Sequence, residues 1–277
     1  MRSVKSLLAA GAAAMLSTGA FAADMPIAAP PMYAPPADFG GWYLRGDIGF
    51  SNQQVKNLNY YSYSGLLSLD QRTGFDTGGI FGLGAGYQFN NWFRADITGQ
   101  YRGSTNFHGL DLVSFPNGGA VGYGADNYSA SKSEWLVLAN AYADLGTWWC
   151  ITPFIGAGIG AARVQIANFV DQGVSYLFPP GSGVGPGTAF ANTASRWNFA
   201  WAAHAGLAYK VTPSLTLELA YSYVSLGDGV TGSLTTFDGF TTNHAVTFRN
   251  ITSNDLKLGV RWNLDTPPPP PPLVTKG

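Results

Sequence analysis

Apolar and polar side chains alternate with period two along most of this chain, in runs of about ten residues, the length a tilted strand needs to cross a bilayer. Gly41 to Phe50 sets Trp42, Leu44, Ile48 and Phe50 against Tyr43, Arg45 and Asp47. Gly79 to Phe89 sets Phe81, Leu83, Ala85 and Tyr87 against Gly82, Gly84, Gly86 and Gln88. Asn90-Asn91 then predicts a tight hairpin into a third run, where Phe93, Ala95, Ile97 and Tyr101 oppose Arg94, Asp96, Gln100 and Arg102. A fourth, Glu134 to Leu145, aligns Trp135, Val137, Ala139, Ala141 and Ala143, although Leu136 and Leu138 weaken its alternation. The fifth places Ile155, Ala157, Ile159 and Ala161 opposite Gly156, Gly158 and Gly160. The sixth, Trp197 to Val211, turns through Thr212-Pro213-Ser214 into the seventh, where Leu215, Leu217, Leu219 and Tyr221 oppose Thr216, Glu218 and Ser222. The eighth, Lys257 to Leu264, alternates strictly before a run of prolines.

The links between these runs are long and short in turn, with long loops expected at 51–78, 103–133, 165–196 and 225–250. An open sheet in hydrocarbon would leave backbone groups unpaired at a cost of several kcal/mol each, so a spanning sheet must close. The expected fold is all-β: an eight-stranded antiparallel transmembrane β-barrel with short periplasmic turns and four long extracellular loops. A soluble sandwich or lipocalin-like barrel alternates too. Loop asymmetry and tryptophan placement favour the membrane form, because Trp42, Trp92, Trp148, Trp149 and Trp262 gather at the short-turn end, with Trp135 and Trp197 toward the other.

The N-terminus agrees with export. Arg2 and Lys5 precede an apolar run from Leu7 to Ala20 that closes with Ala20-Phe21-Ala22, the pattern of a secretory signal peptide over residues 1–22. The expected organisation then continues with a proline-rich periplasmic leader, 23–40, the barrel, 41–264, and a proline-rich tail, 265–277. Without Arg2 and Lys5, 13 of the 15 basic residues remain against 16 acidic ones, a formal charge of −3 that gives no reason to expect a nucleic-acid partner. The 36 glycines, with 17 Phe, 14 Tyr and 8 Trp, suit strands, and the lone Cys150 excludes an internal disulfide.

Eight strands leave an interior that side chains can just fill. The face opposite the apolar one carries Arg45, Asp47, Arg94, Asp96, Arg102, Glu134, Asp144, Glu218, Lys257 and Arg261. Charges of both signs in so narrow a space are expected to pair, giving a plugged lumen, with the inward glycines making room for long partners. A small-solute porin is the alternative, in which the same charges line a water path. Catalysis is not expected: His108 and His244 fall in predicted loops, and His204 faces the lumen without a readable Ser-Asp partner. Gly82, Gly84 and Gly86 lack the Lys-Ser/Thr and helix of a phosphate loop, and neither cofactor nor metal spacing is present. The aromatic loop clusters Tyr60-Tyr61-Ser62-Tyr63 and Phe237 to Phe240 suit contact with sugars or proteins at a cell surface.

The segments GGWYLRGDIGF, FGLGAGYQF, NAYADLG, TPFIGAGIGAA and LKLGVRW resemble the OmpA-like eight-stranded outer-membrane proteins of alphaproteobacteria, the small major surface proteins of brucellae and rhizobia. The resemblance covers nearly all of the chain after the export segment and implies the outer membrane of a Gram-negative bacterium. It also implies that Lys257, Gly259, Trp262 and Leu264 form a signal for the barrel-assembly machinery, although the chain runs on past the position where such signals commonly end. In that family an N-terminal Ala followed by an acid is joined to peptidoglycan, and Ala23-Asp24 matches that pattern. The expectation is a monomeric structural barrel in lipid and lipopolysaccharide, tethered to peptidoglycan and presenting loops outside. The alternatives are a porin and a surface receptor or adhesin.

Overall fold

The computed structural model describes residues 40–60, 63–176, 186–242 and 244–265. The expected export segment, Ala23 and Asp24, and the proline tail beyond Asp265 lie outside them. Twelve strands form one sheet: β1 (Gly41–Gln54), β2 (Asn57–Asn59), β3 (Ser68–Phe75), β4 (Gly78–Gln88), β5 (Phe93–Asn117), β6 (Ala120–Asp144), β7 (Ile151–Tyr176), β8 (Gly187–Ala191), β9 (Ala194–Lys210), β10 (Leu215–Val230), β11 (Leu234–Thr236) and β12 (Thr247–Asn263).

Eight of them close an antiparallel cylinder in the order β1, β4, β5, β6, β7, β9, β10, β12. Closure is made by the first and last strands, which pair from Tyr43↔Asn263 to Gln54↔Thr252. The short-turn end of this seam is tied down, because Leu264 N–H donates to Trp42 O at 2.8 Å and Trp42 N–H donates to the Asp265 carboxylate at 2.8 Å. The short turns lie at the same end as Gly41 and Asn263. In the 90–93 turn, Asn90 Oδ1 accepts from the amides of Trp92 and Phe93. Cys150 sits exposed in another, with φ 69°.

At the opposite end the short strands thicken the wall: β3 pairs with β5, β8 with β7, β11 with β8, and β2 with β12. The expected loop 103–133 and the expected loop 165–196 as far as residue 176 are largely strand, since β5 and β6 each run 25 residues and β7 runs 26. The reason is visible at the bulges. The inward positions of β7 are even-numbered as far as Ile166 and odd-numbered from Phe169, and the switch falls at Asn168, whose φ is 52°. A similar register shift lies between Arg102 and Thr105 in β5. Each bulge inserts one residue, so a period-two reading breaks while the strand continues. His108, expected in a loop, therefore sits exposed on β5.

The faces divide cleanly. Leu44, Ile48, Phe81, Leu83, Ile97, Ile159, Phe199, Leu219 and Leu258 are exposed on the outside. In water such a surface would be untenable; as a lipid-facing band it costs nothing. Leu136 and Leu138, the pair that breaks the alternation of β6, are almost fully buried inside. They belong to an apolar layer with Val164, Ile166, Val224, Leu226 and Ile251, capped toward the long-strand end by Phe107, Phe169 and Phe248. Phe107 and Phe248 meet edge to face at 4.8 Å.

Some inward glycines leave no room for a side chain against the neighbouring strand. A Cβ on Gly160 would stand 2.0 Å from Val137 O and 3.0 Å from Leu138 Cα, both rigid backbone. Gly99, on the lipid face, has nothing within 4 Å of such an atom. Gly160→Val is therefore expected to abolish the heat-modifiable folded band in cold SDS gels, whereas Gly99→Val should leave it unchanged. Equal behaviour of the two variants would contradict the packing described here.

Candidate functional site

The interior toward the short-turn end is a charge network centred on Glu218 of β10. Three guanidinium groups from three other strands reach it: Arg45 at 3.4 Å, Arg94 at 3.3 Å and Arg261 at 3.4 Å. Arg45 also pairs with Asp47 at 2.8 Å and Asp96 at 3.0 Å, and Arg94 pairs with Asp144 at 3.3 Å. Aromatic rings complete the packing, with Arg94 4.2 Å over Tyr142 and Arg261 5.4 Å over Tyr43. Tyr43 donates to Asp96 at 3.1 Å. Missing side chains make the space: a Cβ on Gly84 would press on Arg45 Cγ at 3.1 Å, and one on Gly259 on Asp47 Oδ1 at 2.5 Å.

A second layer lies above. Arg102 grips Asp255 with two hydrogen bonds of 3.0 and 2.6 Å and also donates to Ser51 and Ser253. Lys132 contacts Glu134 and Gln53, with its ammonium 4.6 Å over the ring of Phe75. Lys257 is buried between strands, with no carboxylate within ion-pair distance among the described residues. In these two layers the buried charges number six basic (Arg45, Arg94, Arg102, Lys132, Lys257, Arg261) and six acidic (Asp47, Asp96, Glu134, Asp144, Glu218, Asp255). The barrel interior is thus electroneutral, which lowers the cost of holding ions away from bulk water.

All ten residues expected on the inward face are buried inside, and the fold joins nine of them in ion pairs, Lys257 being the exception. Lys132 and Asp255 were not among them, because both fall where the sequence reads as loop or strand end. For His204 the fold supplies a partner the sequence did not reveal. Its Nδ1 lies 2.8 Å from Ser222 Oγ on the adjacent strand and its Nε2 lies 3.2 Å from Asn140 Oδ1. Neither partner is a carboxylate, and the ring is buried in the network. Of the residues expected to form an assembly signal, Lys257 and Gly259 point inward, whereas Trp262 and Leu264 are exposed.

A different cluster occupies the outer section, beyond the spanning part of the strands. Asp111 on β5 faces Asp126 on β6, and Tyr128 on β6 faces Asp171 on β7. The Tyr63 hydroxyl donates to Asp111, as does Gln71. Tyr63, read from sequence as part of a surface cluster, is instead half-buried here, and Tyr60 packs against the apolar core. Burial, reinforced by the neighbouring Asp126, pushes the Asp171 carboxyl up to about 7, and burial also raises Asp111 and Asp126.

The family model for the outer membrane protein beta-barrel domain matches residues 8–263. An uncharacterised protein of Brucella suis biovar 1 is 34% identical over 243 residues, covering 76% of this chain and 78% of that one. The outer membrane protein PagN of Salmonella typhimurium is 28% identical over 231 residues, 80% of this chain and 89% of PagN. A candidate adhesin of Rickettsia bellii is 30% identical over 235 residues, 82% and 91% of the two chains. The chain belongs to the outer membrane beta-barrel family, and its place is the outer membrane of a Gram-negative cell.

Two expectations follow for stability. Glu218→Ala leaves three guanidinium groups without their shared carboxylate, a loss on the order of 3–5 kcal/mol. It should lower the unfolding temperature more than Arg94→Ala or Arg261→Ala; unchanged temperatures in all three would mean that the network does not stabilise the barrel. For Asp171 the folded chain keeps a proton up to about pH 7, while an unfolded aspartate loses it near pH 4. Stability of the outer section is therefore full below about pH 4, falls as pH rises to about 7 and is level above that. Amide exchange at the outer ends of β5 to β7, corrected for intrinsic rates, should be slower at pH 5 than at pH 8. Asp171→Asn should remove most of that difference.

Proposed function

We propose that this outer-membrane barrel works as a closed structural element of the envelope that carries an extended β-surface outside the cell. The observation that supports this most directly is the filled interior, in which two ionic layers lie beneath the apolar cap of Phe107, Phe169 and Phe248. A water-filled porin needs a continuous polar path, and this apolar cap would have to open for ions to pass. We read the long β5, β6 and β7 as a rigid stalk for the surface elements, and Ala23-Asp24 as the peptidoglycan tether on the opposite side. Lipid and lipopolysaccharide are the proposed surroundings, the barrel-assembly machinery the proposed folding partner, and the monomer the proposed state.

Surface adhesion is the second reading, favoured by Phe237 and Phe240. They stand 85% and 67% exposed on the turn that follows β11, well away from the lipid-facing band. The name of the rickettsial relative, a candidate adhesin, is consistent with it.

Purified protein in planar bilayers is expected to give no stable open-channel current, and sustained conductance would replace the structural reading with the porin. Muramidase-digested sacculi, boiled first in detergent, are expected to release the peptide beginning at Ala23 bonded to a stem peptide. Its absence from a strain with abundant protein would remove the tether. Phe237→Ala with Phe240→Ala tests the second reading, which predicts loss of cell binding while the cold-SDS folded band persists.

A further inference from the structure

The outward apolar stripe of each barrel strand ends, toward the long-strand side, in a polar or small residue. On five strands this is serine or asparagine, as at Ser133 on β6 and Ser195 on β9, and on two it is glycine. On β7 it is Arg163, the one charged residue to end a stripe among the described barrel strands.

Its neighbours are aromatic. Pairing aligns Tyr101 with Trp135, Trp135 with Arg163, and Arg163 with Trp197, so four adjacent strands carry a row of three aromatic rings and one guanidinium. All four residues are exposed, with Trp135 at 55% and Trp197 at 63%. Tyr101 and Trp135 are in ring contact at 4.9 Å. Twelve residues separate Ile151 at the short-turn end from Arg163. At a tilt of about 40° they climb roughly 30 Å, just past an apolar band of about 25 Å. Arg163 thus stands at the level of the outer-leaflet headgroups. The guanidinium is held in place by Ser195 Oγ, which accepts from Nε at 3.3 Å and from one terminal nitrogen at 3.2 Å. No carboxylate lies within ion-pair distance of it among the described residues, so its charge and its remaining N–H groups face the lipid surface.

We propose that Arg163, framed by Trp135 and Trp197, is a binding site for a phosphate group of an outer-leaflet lipid. A planar guanidinium donates two N–H groups to phosphate, and rings on either side pack against the sugar or glycerol and the first chain carbons. An exposed arginine at headgroup level without a protein counter-ion is complementary to an anion, and the leaflet supplies one. The proposal deepens the outer-membrane placement and does not depend on the tether.

The test uses protein purified from outer membranes in mild detergent, examined by native mass spectrometry after incubation with diphosphorylated lipid A or its dephosphorylated form. Wild type is expected to retain one phosphorylated lipid, and Arg163→Ala to retain about tenfold less. Arg163→Lys should fall between, and the dephosphorylated form should be retained no better by wild type than by the variant. Because the side chain points outward, the cold-SDS folded band should be the same in all three proteins. Equal retention by wild type and Arg163→Ala, or equal retention of both lipid forms, would overturn the site and leave annular lipid only. Displacement by millimolar inorganic phosphate would show a free-anion site and overturn the lipid assignment. Recovery of the wild-type protein outside the membrane fraction would instead overturn the placement itself.

Discussion

Everything in this molecule depends on the pairing of β1 with β12. In hydrocarbon an unpaired N–H or C=O has no water to turn to, so the sheet must meet its own first strand. The seam runs for twelve residue pairs without a register shift, and the Asp265 carboxylate and Leu264 amide finish it at the short-turn end. Strand number follows from closure, and interior width follows from strand number. With eight strands the lumen is too narrow to stay empty and too polar to be filled by apolar side chains alone.

The chain resolves that conflict by layers. Near the short turns Glu218 draws in Arg261 from the neighbouring β12, Arg45 from β1 and Arg94 from β5, and glycines on adjacent strands leave room beside the charged side chains. Equal numbers of buried acids and bases keep the field within the barrel small. Beside the second ionic layer, where β6, β7 and β10 turn Leu136, Val164 and Leu226 inward, the barrel is packed like the core of a soluble protein. A lumen filled in this way favours mechanical roles over passage of solutes, and it leaves the two ends to carry interactions: a wall-facing end that the proposed tether would use, and an outer end built from the longest strands.

The outer section obeys different physics. It has water outside it and no lipid to match, and it carries a carboxylate cluster at Asp111, Asp126 and Asp171 in which burial raises each carboxyl above its usual range. Between the two regimes the surface is marked by aromatic side chains, and there Arg163 is the single charge that ends an apolar stripe. A charge at that boundary faces lipid headgroups whichever partner the outer section has.

Much of this was legible in the sequence because a strand with lipid on one side and a packed lumen on the other forces strict alternation. With the loop asymmetry and tryptophan placement that rule led to the fold class, and by itself it marked the eight crossing segments, the outward tryptophans and the inward Arg45, Asp47, Arg94, Asp96, Arg102, Glu134, Asp144, Glu218, Lys257 and Arg261. It failed where a bulge shifts the alternation, as at Asn168 and after Arg102, so the outer halves of β5, β6 and β7 read as loops and Lys132 went unassigned. It could also not say which inward charges meet, since Glu218 is joined to Arg45, Arg94 and Arg261 only through pairing across strands far apart in the chain. Periodicity records which face a residue occupies, and the sequence by itself determined that. Which residues share a level depends on tilt and register, set by long-range backbone pairing, and only the closed tertiary structure decided it.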